Sequence, residues 1–284
     1  MSAAPTPRQD NVRGSAWLLA DIALNIWALT IVKALGLDFP AVQLVFIRAV
    51  VGLLLVLPWV ALRYDQLRTT DRLPLHLLRV ALATLTLTAS FFAVARLPFA
   101  LFTALSFTRP LVLMAMAAVL LGERIPRGRW GAALAGLAGV LIAVGPDPDG
   151  WTWGMVALCV TVIGGSATTI VTRTLNGTPP MVMMLFYTGG LALCSAPFAL
   201  LGWVPVSGSV LLALVAAGVF AQAAQYCFLR AHWLADTGVL GPLSYVSFLA
   251  TTLVGFFVFS EVPGLETIAG AAVITLAALA VTRF

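Results

Sequence analysis

Asp21 stands in an otherwise apolar run, four residues from both Trp17 and Asn25. At 100° per residue a helix carries Trp17, Asp21, Asn25 and Ala28 on one face. A carboxylate buried in hydrocarbon costs about 2.5–3.5 kcal/mol, so it needs water, a proton or a cation beside it. Asp21 therefore reads as a proton-coupling site or a contact for a substrate ammonium group. The competing reading is a shallow acid that meets interfacial water or pairs with an arginine.

His76, Arg79, Ala83, Thr86 and Ser90 form a second polar face, within about 80° of one another on a helix. Such a face lines a cavity, with His76 either a titrating group at its mouth or a plain interfacial residue. Gln222, Gln225 and Tyr226 share a third face, where amides must bond a substrate or a neighbouring helix. Arg109-Pro110 falls midway along an apolar run. Pro110 removes a backbone donor and should kink the helix, and Arg109 beside freed carbonyls either binds a carboxylate or neutralises Asp21. Arg48 is close enough to a helix end to snorkel. Gly154, Thr161, Gly164, Gly165, Thr168 and Thr172 make a small-residue stripe, as do Gly241, Ser244, Ser247, Thr251 and Gly255; such faces pack helices closely. Gly241-Pro242 is a candidate hinge, and Ser244, Tyr245 and Phe107 border the same face. Catalytic signatures are missing from the sequence: HExxH, GxSxG and the P-loop do not occur, which points away from an enzyme and from ATP-driven work. No cofactor or metal site is expected, and Cys159, Cys194 and Cys227 read as packing residues.

These groups must be held by membrane helices. Of the 284 residues 61% are hydrophobic and only 10% charged, with mean hydropathy +1.03. Soluble domains average about 25% charged residues, so a soluble core, a disulfide scaffold and a disordered chain are all unsuited to this composition. Breaks at charges, Pro and Gly leave ten apolar segments: Gly14–Lys33, Pro40–Leu62, Leu73–Ala95, Phe99–Leu121, Gly128–Gly145, Trp151–Arg173, Pro180–Leu201, Ser207–Leu229, Gly238–Ser260 and Gly264–Thr282. About 20 residues span a bilayer core, so the expected fold is all-α and integral to the membrane. The first run reads as a retained span and not a cleaved leader, because it carries Asp21 and Asn25. Of sixteen Lys and Arg, twelve fall on the side of the N-terminus, Lys33 and Arg96 lie opposite, and Arg48 and Arg109 lie within spans. The positive-inside rule then places both termini in the cytoplasm and explains the net charge of +5 without nucleic acid.

The two halves repeat. Thr30-Ile31-Val32, Pro40, Val42 and Phe46 match Thr169-Ile170-Val171, Pro180, Val182 and Phe186. Leu105-Ser106-Phe107 and Glu123 match Leu243-Ser244-Tyr245 and Glu261 at an offset of 138 residues. Five spans per half is odd, so the second half must enter the membrane inverted, as in secondary transporters. The expected organisation is a cytoplasmic tail at 1–13, a first five-helix repeat at 14–145, an external linker at 146–150 and an inverted second repeat at 151–284.

With this repeat, and with Leu121-Gly122-Glu123 and Phe259-Ser260-Glu261 ending the fourth and ninth spans, the chain resembles the drug/metabolite transporter superfamily in its ten-helix form of two EamA-type repeats. Its departures are Ser260 where the family pattern has Gly, and Gly264-Leu265-Glu266 in place of a more basic linker. Within the superfamily its overall sequence resembles YddG-like amino-acid exporters. The resemblance implies a central cavity between the halves, alternating access across the inner membrane and a small-molecule substrate. The substrates implied are amino acids, aromatic ones included. A multidrug or quaternary-cation efflux carrier, or a passive channel-like facilitator, are the competing functions.

Overall fold

The structure is a computed structural model and describes residues 10–61, 72–120, 122, 127–144, 152–175, 180–235, 240, 243 and 246–283. Among these residues there is no strand. The helices are α1 (Asn11–Leu35), α2 (Ala41–Ala61), α3 (Leu73–Arg96), α4 (Phe99–Ser106), α5 (Arg109–Leu120), α6 (Arg127–Val144), α7 (Trp153–Thr174), α8 (Pro180–Leu201), α9 (Gly208–Leu234), α10 (Val246–Phe259) and α11 (Leu265–Arg283). Among the described residues seven stretches are long and apolar enough to cross a membrane, the pair α4–α5 counting as one of them, and three shorter apolar helices lie in α6, α10 and α11.

The boundaries follow local chemistry. Asp10 caps α1 by accepting the Arg13 N–H at 3.0 Å, and Thr152 caps α7 by accepting from Met155 at 3.4 Å. Proline stands in the first turn of α3 and begins α8, where its missing N–H costs nothing. Pro58 and Pro197 lie within α2 and α8 near their C-terminal ends.

The expected fourth span departs from a continuous helix. It breaks at Phe107 and Thr108 into α4 and α5, just before the expected kink residue Pro110. Pro110 has no N–H for the Ser106 carbonyl four residues earlier, so the helix cannot run through. It instead restarts with Pro110 in a first turn, where proline is tolerated. Thr108 covers the gap by donating its hydroxyl to the Leu105 carbonyl at 2.7 Å.

Burial is inverted relative to a soluble protein. Leu134, Leu141, Leu193, Leu201 and Phe257 are exposed on outer faces, whereas Gln43, His76, Ser166 and Ser195 are fully buried. Large exposed apolar faces suit a hydrocarbon surrounding, and buried polar side chains suit a bundle interior.

The most extensive helix pairings are α1 with α9, α6 with α11, α3 with α7 and α2 with α8; α4 packs on α10. Every one joins a helix of the first half to a helix of the second. The α6–α11 crossing is close because Gly139 faces Ile274 and the Gly270 carbonyl, which a Cβ would meet at 2.8 and 3.0 Å. A reciprocal clasp ties α2 to the segment after α8: Gln43 donates Nε2–H to the Val204 carbonyl at 2.8 Å and accepts the Val204 N–H at 3.0 Å. A fully buried amide thus has both ends satisfied.

Candidate functional site

A cavity of about 870 Å³ lies between the halves, lined by α1 to α5 on one side and α7 to α9 on the other. Asp21 and Asn25 reach it from α1, Arg79, Thr86 and Ser90 from α3, and Arg109 from the first position of α5. Gln222 and Gln225 face it from α9, with Tyr187 and Thr188 from α8. Gly52 on α2 leaves the room that Gln222 fills, since a Cβ there would stand 3.0 Å from its Oε1.

Its charge is one-sided. Arg48, Arg79 and Arg109 line the cavity against a single carboxylate, Asp21. Among the described residues none of the four has an ion-pair partner; Asp10 pairs with Arg13 and Glu261 with Lys33 instead.

Helix α7 holds two of the guanidiniums. Arg79 donates Nε–H to the Thr172 hydroxyl at 2.9 Å and Nη1–H to the Met183 carbonyl at 3.2 Å. Arg109 donates from Nη2 to the Gly165 carbonyl at 2.9 Å and the Thr169 hydroxyl at 3.2 Å. Both hydroxyls give their own protons to carbonyls one turn back, Thr169 to Gly165 at 2.9 Å and Thr172 to Thr168 at 2.7 Å. Back-bonding of this kind leaves only lone pairs toward the arginines. Gly165 is what lets Arg109 lie on the helix: a Cβ there would stand 3.0 Å from its Cζ. Ser166, fully buried, gives its proton to the Val162 carbonyl at 2.8 Å, with the Arg109 carbonyl 3.4 Å from the same hydroxyl.

The lining stops at Val32, Phe91 and Phe102, toward the end of the bundle opposite the N-terminus. Just beyond lies a part-buried ion pair. Lys33 Nζ meets Glu261 Oε1 at 2.8 Å and donates to the Leu97 and Val94 carbonyls at 2.6 and 3.3 Å. Glu261 Oε2 accepts the Phe99 N–H at 2.7 Å. The lysine thus covers carbonyls at the C-terminus of α3, and the carboxylate covers the first N–H of α4. Each charge faces the helix end of opposite polarity. Glu261 is aimed there by Ser260, whose φ of 55° turns the chain back after α10.

Eight of the side chains expected from sequence to form the site therefore border the cavity: Asp21, Asn25, Arg79, Thr86, Ser90, Arg109, Gln222 and Gln225. Three described ones do not. His76 is fully buried and stacked on Phe186, with ring centroids 4.6 Å apart. It lies one turn before Arg79 but is turned into the α3–α8 packing, with both ring nitrogens lacking a hydrogen-bond partner. Trp17 and Tyr226 pack edge to face at 5.9 Å, and Arg230 donates to the Tyr226 hydroxyl at 3.0 Å; neither ring reaches the lining. The expected cavity face on α1 thus begins at Asp21, and the lining on α9 passes from Gln225 to Phe228 without Tyr226. Ser244 and Tyr245, with Gly241-Pro242 as hinge, lie outside the described residues, and so does the side chain of Pro110.

Other lining groups were legible only as packing. Arg48 faces the cavity instead of snorkelling, with Phe91 5.8 Å from its Cζ. The threonines of α7 read as a packing stripe, and their back-bonds within the helix are invisible in sequence. Tyr187 carried no signal at all. Lys33 and Glu261 fell at span ends, where a charge is usually solvated.

A helical bundle with apolar outer faces and a polar, charged interior shared by two halves is built as a multi-pass membrane protein. Residues 14–145 match the EamA-like transporter family. Along most of its length the chain is also similar to curated transporters. It is 25% identical to an S-adenosylmethionine uptake transporter of Rickettsia felis over 94% of this chain and 91% of that one. A riboflavin transporter of Rhizobium johnstonii is 28% identical over 96% and 91%, and a pseudopaline exporter of Pseudomonas aeruginosa 26% identical over 89% and 90%. A solved crystal structure shares the fold, with a TM-score of 0.63, 22% identity and coverage of 93% and 96%. These relatives are transporters, not enzymes.

Proposed function

We propose that the chain is a secondary transporter that works by alternating access, and that it carries small carboxylate-bearing metabolites, amino acids among them. The carrying observation is the cavity's charge: three arginines without carboxylate partners among the described residues, against one aspartate. Such a field attracts the acid group of an amino acid, while Asp21 and the two glutamines suit its ammonium end. It repels quaternary cations, which disfavours the cationic-drug reading.

The architecture proposed is ten spans in two inverted repeats, residues 14–145 and 151–284, with both termini cytoplasmic in the inner membrane. Three features support it. Pairing is crosswise, α1 with α9 and α3 with α7, as a twofold axis between the repeats requires. Gly122 and Ser260, 138 residues apart, both adopt positive φ, 65° and 55°. Pro58 and Pro197 occupy matching places in α2 and α8. An outward direction draws on the likeness to the pseudopaline exporter and is opposed by the uptake relatives, so both directions must be followed.

The test is transport by the purified protein in liposomes, with a panel of amino acids, quaternary amines and sugars. Saturable uptake of amino acids, accelerated by unlabelled substrate on the opposite side, is the expected result. Flux that rises linearly with concentration and shows no such acceleration would make the protein a channel. Preference for quaternary amines would overturn the substrate reading.

A further inference from the structure

We propose that Arg79 and Arg109, laid side by side on α7, form a seat for a dianionic headgroup, supplied either by two neighbouring carboxylates or by a phosphate. The proposal rests on the carrier reading above and narrows its substrate class.

The seat is defined by what holds the two side chains. Thr169 and Thr172, the hydroxyl partners of Arg109 and Arg79, are three residues apart, and side chains so spaced share a helix face with Cβ atoms about 5–6 Å apart. Two guanidiniums are thereby brought to adjacent points of one wall, although like charges in a bundle interior repel. Among the described residues no carboxylate relieves them, and their acceptors are neutral oxygens. Neutral acceptors hold a guanidinium in place without cancelling its charge, so the wall keeps two positive charges to offer. A single carboxylate neutralises one of them. A dicarboxylate or a phosphate neutralises both, and guanidinium forks fit either group through paired N–H donors.

Gly165 supplies an independent mark of construction. Cζ, Nε and Nη2 of Arg109 lie 3.0, 3.1 and 3.2 Å from where its Cβ would be. A side chain is missing from α7 at the spot where Arg109 rests. Asp21, elsewhere on the lining, suits an ammonium group on the same molecule. Acidic amino acids are the smallest compounds carrying all three charges.

The test is binding to the intact protein in nanodiscs, measured calorimetrically, with aspartate, glutamate and succinate in one arm, inorganic phosphate and phosphoserine in a second, and leucine and phenylalanine as monocarboxylates. At least one dianion arm should bind about 10-fold or more tighter than the monocarboxylates, the worth of one added charge-assisted contact. Which arm wins identifies the headgroup. Arg79→Gln and Arg109→Gln should each weaken dianion binding about 10-fold or more beyond any loss of monocarboxylate binding, and Arg79→Lys should keep part of the preference. Thr172→Val should weaken dianion binding and Thr172→Ser restore it, a pair that leaves both charges in place. Equal binding of mono- and dianions, no binding by any dianion, or substitutions that weaken all probes alike would overturn the seat. Liposome exchange of the same probes separates the two proposals. Binding of a dianion without exchange sinks the carrier and keeps the seat, whereas exchange of monocarboxylates without dianion preference does the reverse.

Discussion

Lys33→Met should open the end of the cavity that lies opposite the N-terminus. The lysine side chain is 8% exposed and its partner Glu261 23%, and their 2.8 Å contact carries about 6 kcal/mol of Coulomb energy at an effective dielectric of about 20. Much of that is offset by desolvation. Deleting one partner of a buried pair costs about 3–5 kcal/mol, and solvent at Glu261 lowers this to about 2–3 kcal/mol. The loss falls on the arrangement in which the pair is formed, so any state that parts Lys33 from Glu261 should gain about 30- to 150-fold in relative population. A cysteine at Ser106, on the cavity lining, reports it in a background lacking Cys159, Cys194 and Cys227. A membrane-impermeant maleimide added on that side of liposomes should label the Met variant much faster than its parent. The charge swap, Lys33→Glu with Glu261→Lys, sharpens the reasoning: it would set a carboxylate against the C-terminus of α3 and an ammonium against the N-terminus of α4, both unfavourable. An ordinary ion pair survives inversion; this one should not. Unchanged labelling in the Met variant, or parental labelling in the swap, would refute the argument.

Gly165→Ala should weaken transport by pushing the Arg109 guanidinium a few tenths of an ångström off α7, with little change in thermal stability, and a transport-plus-unfolding comparison checks both halves of the statement. Asp21→Asn should abolish accumulation driven by a pH gradient while sparing exchange if Asp21 carries the coupled proton; unaltered pH-driven accumulation in liposomes removes that role. His76→Phe should leave transport within about two-fold and raise stability by about 1 kcal/mol, because the ring stack on Phe186 is kept and two unpaired buried nitrogens are removed. Loss of transport with retained folding would return His76 to the functional set.

Much of this architecture is written in apolar run lengths. Segment lengths and the placement of Pro and Gly locate the helices, because hydrocarbon demands that each backbone donor be satisfied within its own helix. Helical periodicity also locates Asp21, Asn25, Arg79, Thr86 and Ser90, since a polar face must find polar company. What it cannot resolve is a rotation of some tens of degrees. His76 lies one turn before Arg79 on nearly the same stripe, yet it turns into the α3–α8 packing. Arg48 makes the opposite error: proximity to a helix end suggests snorkelling, but the side facing inward is chosen by tertiary packing. Glu261 was visible as a repeat motif and Lys33 as a cation, but their meeting across the halves is a contact of the folded chain. The break before Pro110 was expected as a kink, and its exact place depends on where Thr108 can take up a carbonyl.

Position 165 carries a consequence for how such proteins diverge. The position of one charge on the binding wall depends there on an atom that is missing, so a drift from Gly to a larger residue would push the Arg109 guanidinium outward without altering one polar group. Cargo could then be exchanged by a change that looks, in an alignment, like routine packing variation. Relatives that share the bundle at about a quarter identity yet carry different compounds are best compared first at this site, on the size of the residue and not on its polarity.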